Sequence, residues 1–217
     1  MFTWTTFDVR SLLPTGWDED ITRVAVNLSR RRLIRPPHIT TREDKEVTEL
    51  FIRGTSAQVV REELPWLVKC YEGVFRDLAQ SSRSEPVSIA EGQRHTIVLN
   101  VQRAEDARYE CHVDTNPIQG MLYVTSHPEG GGGELVVAND SSAMSVDGIE
   151  SNCSMIYPQR GHLMFFDGRK NPHYVRPLLD PHAIRVAVAM NFYVPSGPES
   201  LRPPDLDDYL FGTPLEA

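Results

Sequence analysis

The chain has 217 residues, of which 40% are hydrophobic, and a formal net charge of −8. This length and composition suffice for one domain with a sizeable core, and we expect residues 1–217 to form a single domain. The negative charge and the lack of a long basic stripe argue against a nucleic-acid partner, because binding phosphates needs clustered Lys and Arg.

The cysteines and the first residues bear on the cellular compartment. Cys70, Cys111 and Cys153 are odd in number and show no CxxC spacing, which is typical of reduced thiols in the cytoplasm. Residues 1–10 are broken by Thr, Asp and Arg, so neither a secretion leader nor a membrane-spanning segment is indicated. We expect a cytoplasmic protein without a membrane partner.

Residues 1 to about 90 contain no recognisable motif and are expected to form a helical supporting region. The three arginines at 30–32, together with Arg35, are interpreted as a solvated turn before Pro36 and Pro37, and the alternative is a site for a polyanion. Residues 55–80 are the clearest helical stretch, because apolar side chains recur there at three- and four-residue steps. Pro65 is expected to open a second helix within that stretch. Its apolar stripe is expected to pack on the outer face of the main sheet.

Two short β-branched runs, residues 96–101 and 120–125, predict strands. His112 and Asp114 lie between them. In an extended segment residues i and i+2 point to the same side, so both side chains can reach one metal ion if residues 109–114 are extended. A helix would separate them by about 200° around its axis. Alone the pair is weak evidence, since surface and turn residues often produce it by chance.

Two segments that follow are expected to be loops. The four glycines at 130–133 lack the spacing of a phosphate-binding loop and are interpreted as a flexible hairpin tip. Residues 138–159 have no strong period and are rich in Ser, Asn and Asp. We expect a long excursion there, of the kind that often supplies substrate contacts.

A second histidine completes a possible metal site. In residues 161–177 an apolar strand ends in a turn, and another strand begins with His173, which can bring a third ligand to His112 and Asp114. Two imidazoles and one carboxylate form a facial triad, which holds Fe(II) and leaves positions open for an oxidant and a co-substrate. A closed four-ligand site would instead be structural. The pattern predicts an oxygenase.

The strand at residues 184–193 has one apolar face and one mixed face. The mixed face contains Arg185, two alanines, Asn191 and Tyr193. A guanidinium is rarely buried unpaired, and its planar fork suits a carboxylate. Arg185 therefore predicts a dicarboxylic co-substrate inside a barrel, and the alternative is a solvated arginine on an edge strand.

Further pocket residues are candidates only. Asn100 and Gln102 share one strand face and can point into the barrel, or they can make structural hydrogen bonds to a neighbouring strand. Arg103 can meet a substrate carboxylate, although a surface position is the simpler expectation. Asn191 shares the face of Arg185 and is included in the predicted co-substrate or substrate pocket.

Residues from about 91 to 195 resemble the Fe(II)- and 2-oxoglutarate-dependent dioxygenases, specifically their prolyl-hydroxylase-like branch. Six elements in the same order support the resemblance: His112-Val113-Asp114, Tyr123-Val124-Thr125, Gly132-Gly133-Glu134-Leu135, Pro158-Gln159-Arg160-Gly161 leading to Phe165-Phe166, His173-Tyr174-Val175-Arg176-Pro177, and Arg185 ahead of Asn191-Phe192-Tyr193.

The resemblance implies that His112, Asp114 and His173 bind iron. It also implies that Arg185 pairs with the distal carboxylate of 2-oxoglutarate, with Tyr123 as a hydrogen-bond partner. Arg185 follows His173 by twelve positions, slightly more than is usual in the family, so Arg176 is the fallback for this role.

The implied fold is mainly β with flanking α-helices, a double-stranded β-helix of the jelly-roll or cupin type. Residues 91–195 would form its barrel core and residues 196–217 a C-terminal cap or tail. The implied cofactors and co-substrates are Fe(II), 2-oxoglutarate and O2.

The expected activity is oxidation of an unactivated C–H bond by hydroxylation, desaturation or ring closure. The compact length and acidic composition favour a small, amino-acid-like substrate in specialised metabolism. The alternatives are a peptidyl-residue hydroxylase of the prolyl type and, with less support, a non-enzymatic cupin-type binding module.

Overall fold

The computed structural model describes residues 2–212. These residues contain eleven strands: β1 (Trp4–Asp8), β2 (Arg30–Ile34), β3 (Leu50–Gly54), β4 (Ser88–Ile89), β5 (Ile97–Arg103), β6 (Ile118–Tyr123), β7 (Leu135–Ala138), β8 (Cys153–Ile156), β9 (His162–Phe166), β10 (His173–Val175) and β11 (Ile184–Tyr193). The helices are α1 (Trp17–Leu28), α2 (Ala57–Glu63), α3 (Pro65–Cys70), α4 (Arg76–Ser81), α5 (Val146–Glu150) and α6 (Leu206–Phe211). The prediction of a mainly β chain with flanking helices is confirmed.

The strands form two antiparallel sheets. The major sheet has the order β1-β9-β6-β11-β5-β3-β2, with β4 also paired to β11. The minor sheet has the order β10-β7-β8. Side chains from both sheets form one buried cluster that includes Met121, Met164 and Ala189 from the major sheet and Val137 and Val175 from the minor sheet. The two sheets therefore face each other across a shared interior.

Helices cover the outer face of the major sheet, as the apolar stripe of residues 55–80 predicts. Val60, Leu64 and Leu67 are fully buried and pack in one cluster with the outward-facing residues of β5 and β11, such as Leu99 and Val188. Pro65 stands at the first position of α3, where a missing N–H costs no helical hydrogen bond. A single π-helical turn, Tyr71–Phe75, joins α3 to α4.

Phe165 is a central contact of this helix-covered core. It is 2% exposed, and its ring makes edge contacts with Phe7 and Phe192 at centroid distances of 6.0 and 5.9 Å. We expect Phe165→Ala to lower the free energy of unfolding by about 3–5 kcal/mol, because it leaves a cavity in a packed interior. Denaturant unfolding measures this loss. The exposed Leu179→Ala is the matched control, and an equal loss in both variants would contradict the packing described here.

The alternation predicted for β11 is present. Val186, Val188 and Met190 pack beneath the helices, whereas Ala187 and Ala189 belong to the cluster between the sheets. Arg185 is on the same inner side and is 2% exposed. The alternative of a solvated edge-strand arginine is therefore wrong, since β11 pairs with β5 on one side and β6 on the other.

Three local predictions need correction. Residues 30–32 lie in strand β2, which pairs with β3, and do not form a turn. Residues 138–159 contain helix α5 and strand β8 in addition to loops. The region before residue 90 is more than a helical support, because β1 and β2 are the two edge strands of the major sheet.

The C-terminal segment continues past the barrel strands into α6. Residues 213–217, the end of the predicted cap or tail, lie outside the described residues. Within residues 2–212 every helix is too short or too polar to cross a membrane.

Candidate metal centre and active-site cavity

Backbone pairing brings the predicted metal ligands together. His112 lies in an extended segment before β6, although that segment is held by isolated bridges and not by a regular strand. The N–H of His112 donates to the carbonyl of His173 and the N–H of His173 donates to the carbonyl of His112, both at 2.9 Å. The N–H of Asp114 donates to the carbonyl of Gly168 at 3.1 Å. These bonds cross from one segment of the fold to another, and they fix three side chains around one point.

The three side chains form a compact group. Their ligand atoms all lie within 4.8 Å of one another, and each histidine Nε2 is 3.7 Å from a carboxylate oxygen of Asp114. Nδ1 of His112 donates to the carbonyl of Glu110 at 2.8 Å, and Nδ1 of His173 donates to the carbonyl of Asn171 at 3.0 Å. With Nδ1 occupied in this way, both Nε2 lone pairs face Asp114, as in metal-binding histidines.

The electrostatics of this group fit a divalent cation. Burial lowers the pKa of His173 to about 4, and burial together with His173 lowers the pKa of His112. Both imidazoles are therefore neutral at neutral pH and can act as ligands. Burial raises the pKa of Asp114 to about 6 against the attraction of His112, and its Oδ2 has no hydrogen-bond partner among residues 2–212. A bound cation would offset the cost of burying this carboxylate.

Gly168 has no side chain, and the carboxylate of Asp114 occupies the space that a side chain there would fill. A Cβ at this position would lie 2.1 Å from Oδ2 of Asp114 and 2.9 Å from Cε1 of His173. We expect Gly168→Ala to displace the carboxylate and to lower Fe(II) affinity about 10- to 100-fold, the range seen when groups that orient metal ligands are changed. Competition with an Fe(II) chelator measures this effect.

Gly73→Ala is the matched control for that substitution. Apart from its chain neighbours and the backbone of its own helix, an added Cβ there meets no heavy atom of the described residues within 4 Å, so iron affinity should not change. Unaltered affinity in Gly168→Ala would mean that the carboxylate can shift without cost, which would contradict the tight fit described above.

Arg185 is a buried guanidinium without an ion-pair partner in the described part of the chain. Its Nε donates to the carbonyl of Gly133 at 2.9 Å, whereas its Nη2 is buried and has no partner within residues 2–212. Burial lowers its pKa, and Tyr123 opposes that effect. A buried cation with unused donors is costly unless an anion joins it. These groups fit a carboxylate at this end of the site.

Tyr123 contacts this guanidinium, with its ring centroid 5.6 Å from Cζ of Arg185. Its hydroxyl is buried without a hydrogen-bond partner in the range 2–212. Burial raises the pKa of Tyr123, and the charge of Arg185 opposes this. Among the described residues Tyr123 does not line the cavity that contains the metal group, and it is linked to the site through this contact with Arg185.

The glycines at 130–133 were expected to form a flexible hairpin tip, but two of them have a specific structural role. Gly132 and Gly133 both have positive φ, and a Cβ on Gly132 would lie 2.0 Å from the carbonyl oxygen of Pro177. This close approach needs glycine. It also presents the Gly133 carbonyl to Arg185, a contact that composition alone does not reveal.

One cavity of about 140 Å³ joins these groups. It is lined by His112, Asp114, His173 and Arg185, and also by the predicted pocket residues Asn100 and Asn191. The other two predicted pocket residues, Gln102 and Arg103, are not among the lining residues in the described chain. The Gln102 amide donates to the carbonyls of Ala107 and Arg176 at 2.7 and 2.9 Å, which is the structural alternative considered for it.

Arg176, the alternative residue for binding the co-substrate carboxylate, is paired with another side chain. Its Nη2 lies 2.5 Å from the carboxylate of Glu150 on α5. Arg185, in contrast, has donors to spare and lines the cavity. The surroundings therefore favour Arg185 for the carboxylate.

Helix α6 supplies cavity residues that were not anticipated. Leu206, Leu210 and Phe211 line the cavity, and Tyr209 on the same helix donates from its hydroxyl to Glu110 at 2.6 Å. His95 strengthens this attachment, because its two ring nitrogens lie 3.0 and 2.7 Å from Asp207 and Glu199. The C-terminal helix is thus fastened beside the metal ligands.

Several polar side chains also line the cavity without having been predicted. Gln119 faces Asn191 in the register of β6 and β11, so strand alternation could have found it. Arg32, Asn116 and Arg202 lie outside any recognised motif, and nothing in the sequence marks them as neighbours of the triad.

No family model matches the sequence, and no curated protein matches it in sequence. Solved structures do resemble it. A prolyl hydroxylase from Trichoplax adhaerens, in complex with a hypoxia inducible factor oxygen degradation domain peptide fragment, has a TM-score of 0.58 at 14% identity, covering 92% of this chain and 87% of that one. An oxidoreductase of the 2OG-Fe(II) oxygenase family from Burkholderia pseudomallei has a TM-score of 0.56 at 12% identity, covering 88% and 84%.

A third similar structure is SnoK, a non-heme α-ketoglutarate dependent carbocyclase from nogalamycin biosynthesis. It has a TM-score of 0.59 at 13% identity and covers 100% of this chain and 90% of that one. At sequence identities this low, the structural similarity establishes the fold alone. The chain has the jelly-roll fold of the 2OG-Fe(II) oxygenase structures, and the prediction of a double-stranded β-helix is confirmed.

Proposed function

We propose that this chain is an Fe(II)- and 2-oxoglutarate-dependent oxygenase that oxidises a C–H bond of a small molecule. The observation that carries the proposal is a single cavity lined by the His112, Asp114 and His173 group and by the buried guanidinium of Arg185. The fold supports it, because the structures that share the fold include 2OG-Fe(II) oxygenases.

In this proposal each side chain has a defined task. His112 and His173 bind the metal through Nε2, the nitrogen left free by the backbone carbonyls, and Asp114 binds it through its carboxylate. Arg185 pairs with the distal carboxylate of 2-oxoglutarate, and the Tyr123 hydroxyl donates to the same group. Bound iron and 2-oxoglutarate together supply the oxidation by O2, which no side chain provides. The protein orients both and limits the access of water.

A small substrate is favoured over a peptide by the position of α6. This helix lines the cavity with Leu206, Leu210 and Phe211, and it is anchored by the hydrogen bond from Tyr209 to Glu110. A peptide would need an open groove, and α6 would have to move to provide one. Peptidyl-residue hydroxylation is the second candidate, because a prolyl hydroxylase in complex with a peptide has the same fold.

Within small-molecule chemistry we propose hydroxylation, desaturation or ring closure of an amino-acid-like compound in specialised metabolism. SnoK, which is a carbocyclase from nogalamycin biosynthesis, supports ring closure as one of these outcomes. A non-enzymatic binding module has less support, because it would need neither the metal group nor a buried Arg185 that lacks an ion-pair partner within residues 2–212.

A succinate-release screen tests the proposal. The protein is incubated with Fe(II), 2-oxoglutarate and O2, and amino acids and peptides are added one at a time. We expect succinate formation that depends on Fe(II) and is stimulated by small molecules more than by peptides. Stimulation by peptides alone would favour the second candidate, and 2-oxoglutarate turnover that is independent of Fe(II) would contradict the proposal.

A further inference from the structure

Arg32 is a second cavity-lining guanidinium that the proposed function does not use. It lies on the edge strand β2 and is half-buried. Its Nη2 makes a long hydrogen bond of 3.4 Å to the carbonyl of Gly54. Two other arginines of this segment are paired, Arg31 with Asp106 at 3.4 Å and Arg35 with Glu49 at 3.2 Å. Within residues 2–212 no carboxylate lies at ion-pair distance from Arg32.

Two of the other three arginines that line the cavity are paired with carboxylates. Arg53 lies 2.7 Å from the carboxylate of Asp106, and Arg202 lies 2.5 Å from that of Asp207. In the proposed function Arg185 receives 2-oxoglutarate. Arg32 is therefore the cavity arginine of the described chain that is left without an anion. Burial lowers its pKa, which is the effect expected when a guanidinium loses water and gains no counter-ion.

The position of Arg32 is close to the metal group. Arg32, Tyr109 and Arg185 line the same cavity as the three predicted metal ligands. The ring of Tyr109 is 5.6 Å from that of His112. On its other side Arg32 approaches α6, with Cζ 5.2 Å from the ring centroid of Phe211. Arg32 thus faces the space between the metal ligands and α6.

We propose that Arg32 binds a carboxylate of the substrate, so that the substrates of this cavity are carboxylic acids. The inference rests on the proposed function, which leaves the α6 side of the cavity for the substrate. A guanidinium presents two parallel N–H donors that match the two oxygens of a carboxylate. The pairing would hold one end of the substrate at Arg32 and direct the rest of it towards His112, Asp114 and His173.

Matched pairs of ligands test this assignment. Amino acids and their primary carboxamides have nearly the same shape and differ in the charge that Arg32 would recognise. Each is added under anaerobic conditions to the protein loaded with Fe(II) and saturating 2-oxoglutarate. Relaxation of the ligand protons by the paramagnetic Fe(II) then reports both binding and closeness to the metal. The absorption band of iron-bound 2-oxoglutarate is recorded first, and it must persist when the acid is added.

We expect at least one acid to bind about tenfold or more tightly than its amide, since the contact is charge-assisted. Arg32→Gln should abolish this preference and Arg32→Lys should retain part of it. Arg30→Gln removes the same charge from an exposed position of the same strand and should leave the preference unchanged.

Three results would overturn the assignment of Arg32. The first is failure of every acid to bind, and the second is a preference for acids that survives Arg32→Gln. The third is an equal loss of affinity for acids and for amides in Arg32→Gln. The last result would mean that Arg32 only holds Phe211 in place by a cation–π contact. If instead the 2-oxoglutarate band does not form in the wild-type protein, the proposed function fails before Arg32 is tested.

Discussion

Replacing Arg185 with Gln is expected to raise the Kd of the Fe(II)-loaded protein for 2-oxoglutarate roughly ten- to two-hundredfold. A charge-assisted hydrogen bond is worth roughly 1.5 to 3 kcal/mol, and each 1.4 kcal/mol corresponds to about tenfold in affinity. The guanidinium is buried, with Nη2 left unpartnered within residues 2–212, so water cannot easily replace it. Anaerobic calorimetric titration of 2-oxoglutarate into the Fe(II)-loaded protein measures the change.

Arg176→Gln is the matched control, because it removes the same charge from a nearby strand end. Arg176 is paired with Glu150, so its loss should leave 2-oxoglutarate affinity nearly unchanged. Iron binding should survive in both variants. If Arg176→Gln weakens 2-oxoglutarate binding and Arg185→Gln does not, the co-substrate arginine is misassigned.

His112→Ala, Asp114→Ala and His173→Ala are each expected to abolish Fe(II)-dependent turnover of 2-oxoglutarate. Facial triads hold the metal with only three protein ligands, so the loss of one leaves too few. His173 is buried and His112 and Asp114 are partly buried, and no other His, Cys, Asp or Glu of residues 2–212 joins this ligand group. Succinate release and the iron content of the purified variants measure the effect.

The folded state is the control for these three variants. Circular dichroism should match that of the wild type, since the hydrogen bonds that join His112, Asp114 and His173 to other segments are made by the backbone. Asp114→Ala should even relieve the cost of burying a carboxylate in the metal-free protein. Full turnover in any one variant would remove that residue from the proposed metal site.

Periodic patterns in the sequence predicted much of this fold. The two faces of β11 follow directly from its alternation, and that alternation placed Arg185 inside. The helical stripe that contains Leu64 and Leu67 predicted the layer on the outer face of the sheet, and both residues are fully buried. These predictions succeed because burial on one face of a regular element leaves a repeat in the chain.

The structure also brings the predicted triad together. The prediction rested on the spacing of the three residues and their order in the chain, and less on the local structure of their segments. His112 and Asp114 are separated by two positions, and His173 begins a strand. The segment of His112 is extended but pairs through single bridges. Its placement comes from hydrogen bonds to distant segments, which no local pattern encodes.

The parts that were missed depend on long-range contacts. Arg32 sits in a run of three arginines, and such a run contains no alternation that shows which side chain turns inward. The docking of α6 depends on contacts across about half the chain, such as Tyr209 with Glu110 and Asp207 with His95. Gly133 and Gly168 are needed because Arg185 and Asp114 approach their backbones closely, and closeness of this kind appears only in three dimensions.

The absorption spectrum of the anaerobic protein with one equivalent of Fe(II) and 2-oxoglutarate tests the central claim most directly. If His112, Asp114 and His173 hold iron and the co-substrate chelates it in the same cavity, a metal-to-ligand charge-transfer band must appear when both are present and be absent when either is omitted. We expect this band in the wild type and its loss in His173→Ala. No band in the folded wild-type protein, or a band that persists in His173→Ala, would contradict the assignment of this cavity as an Fe(II) and 2-oxoglutarate site.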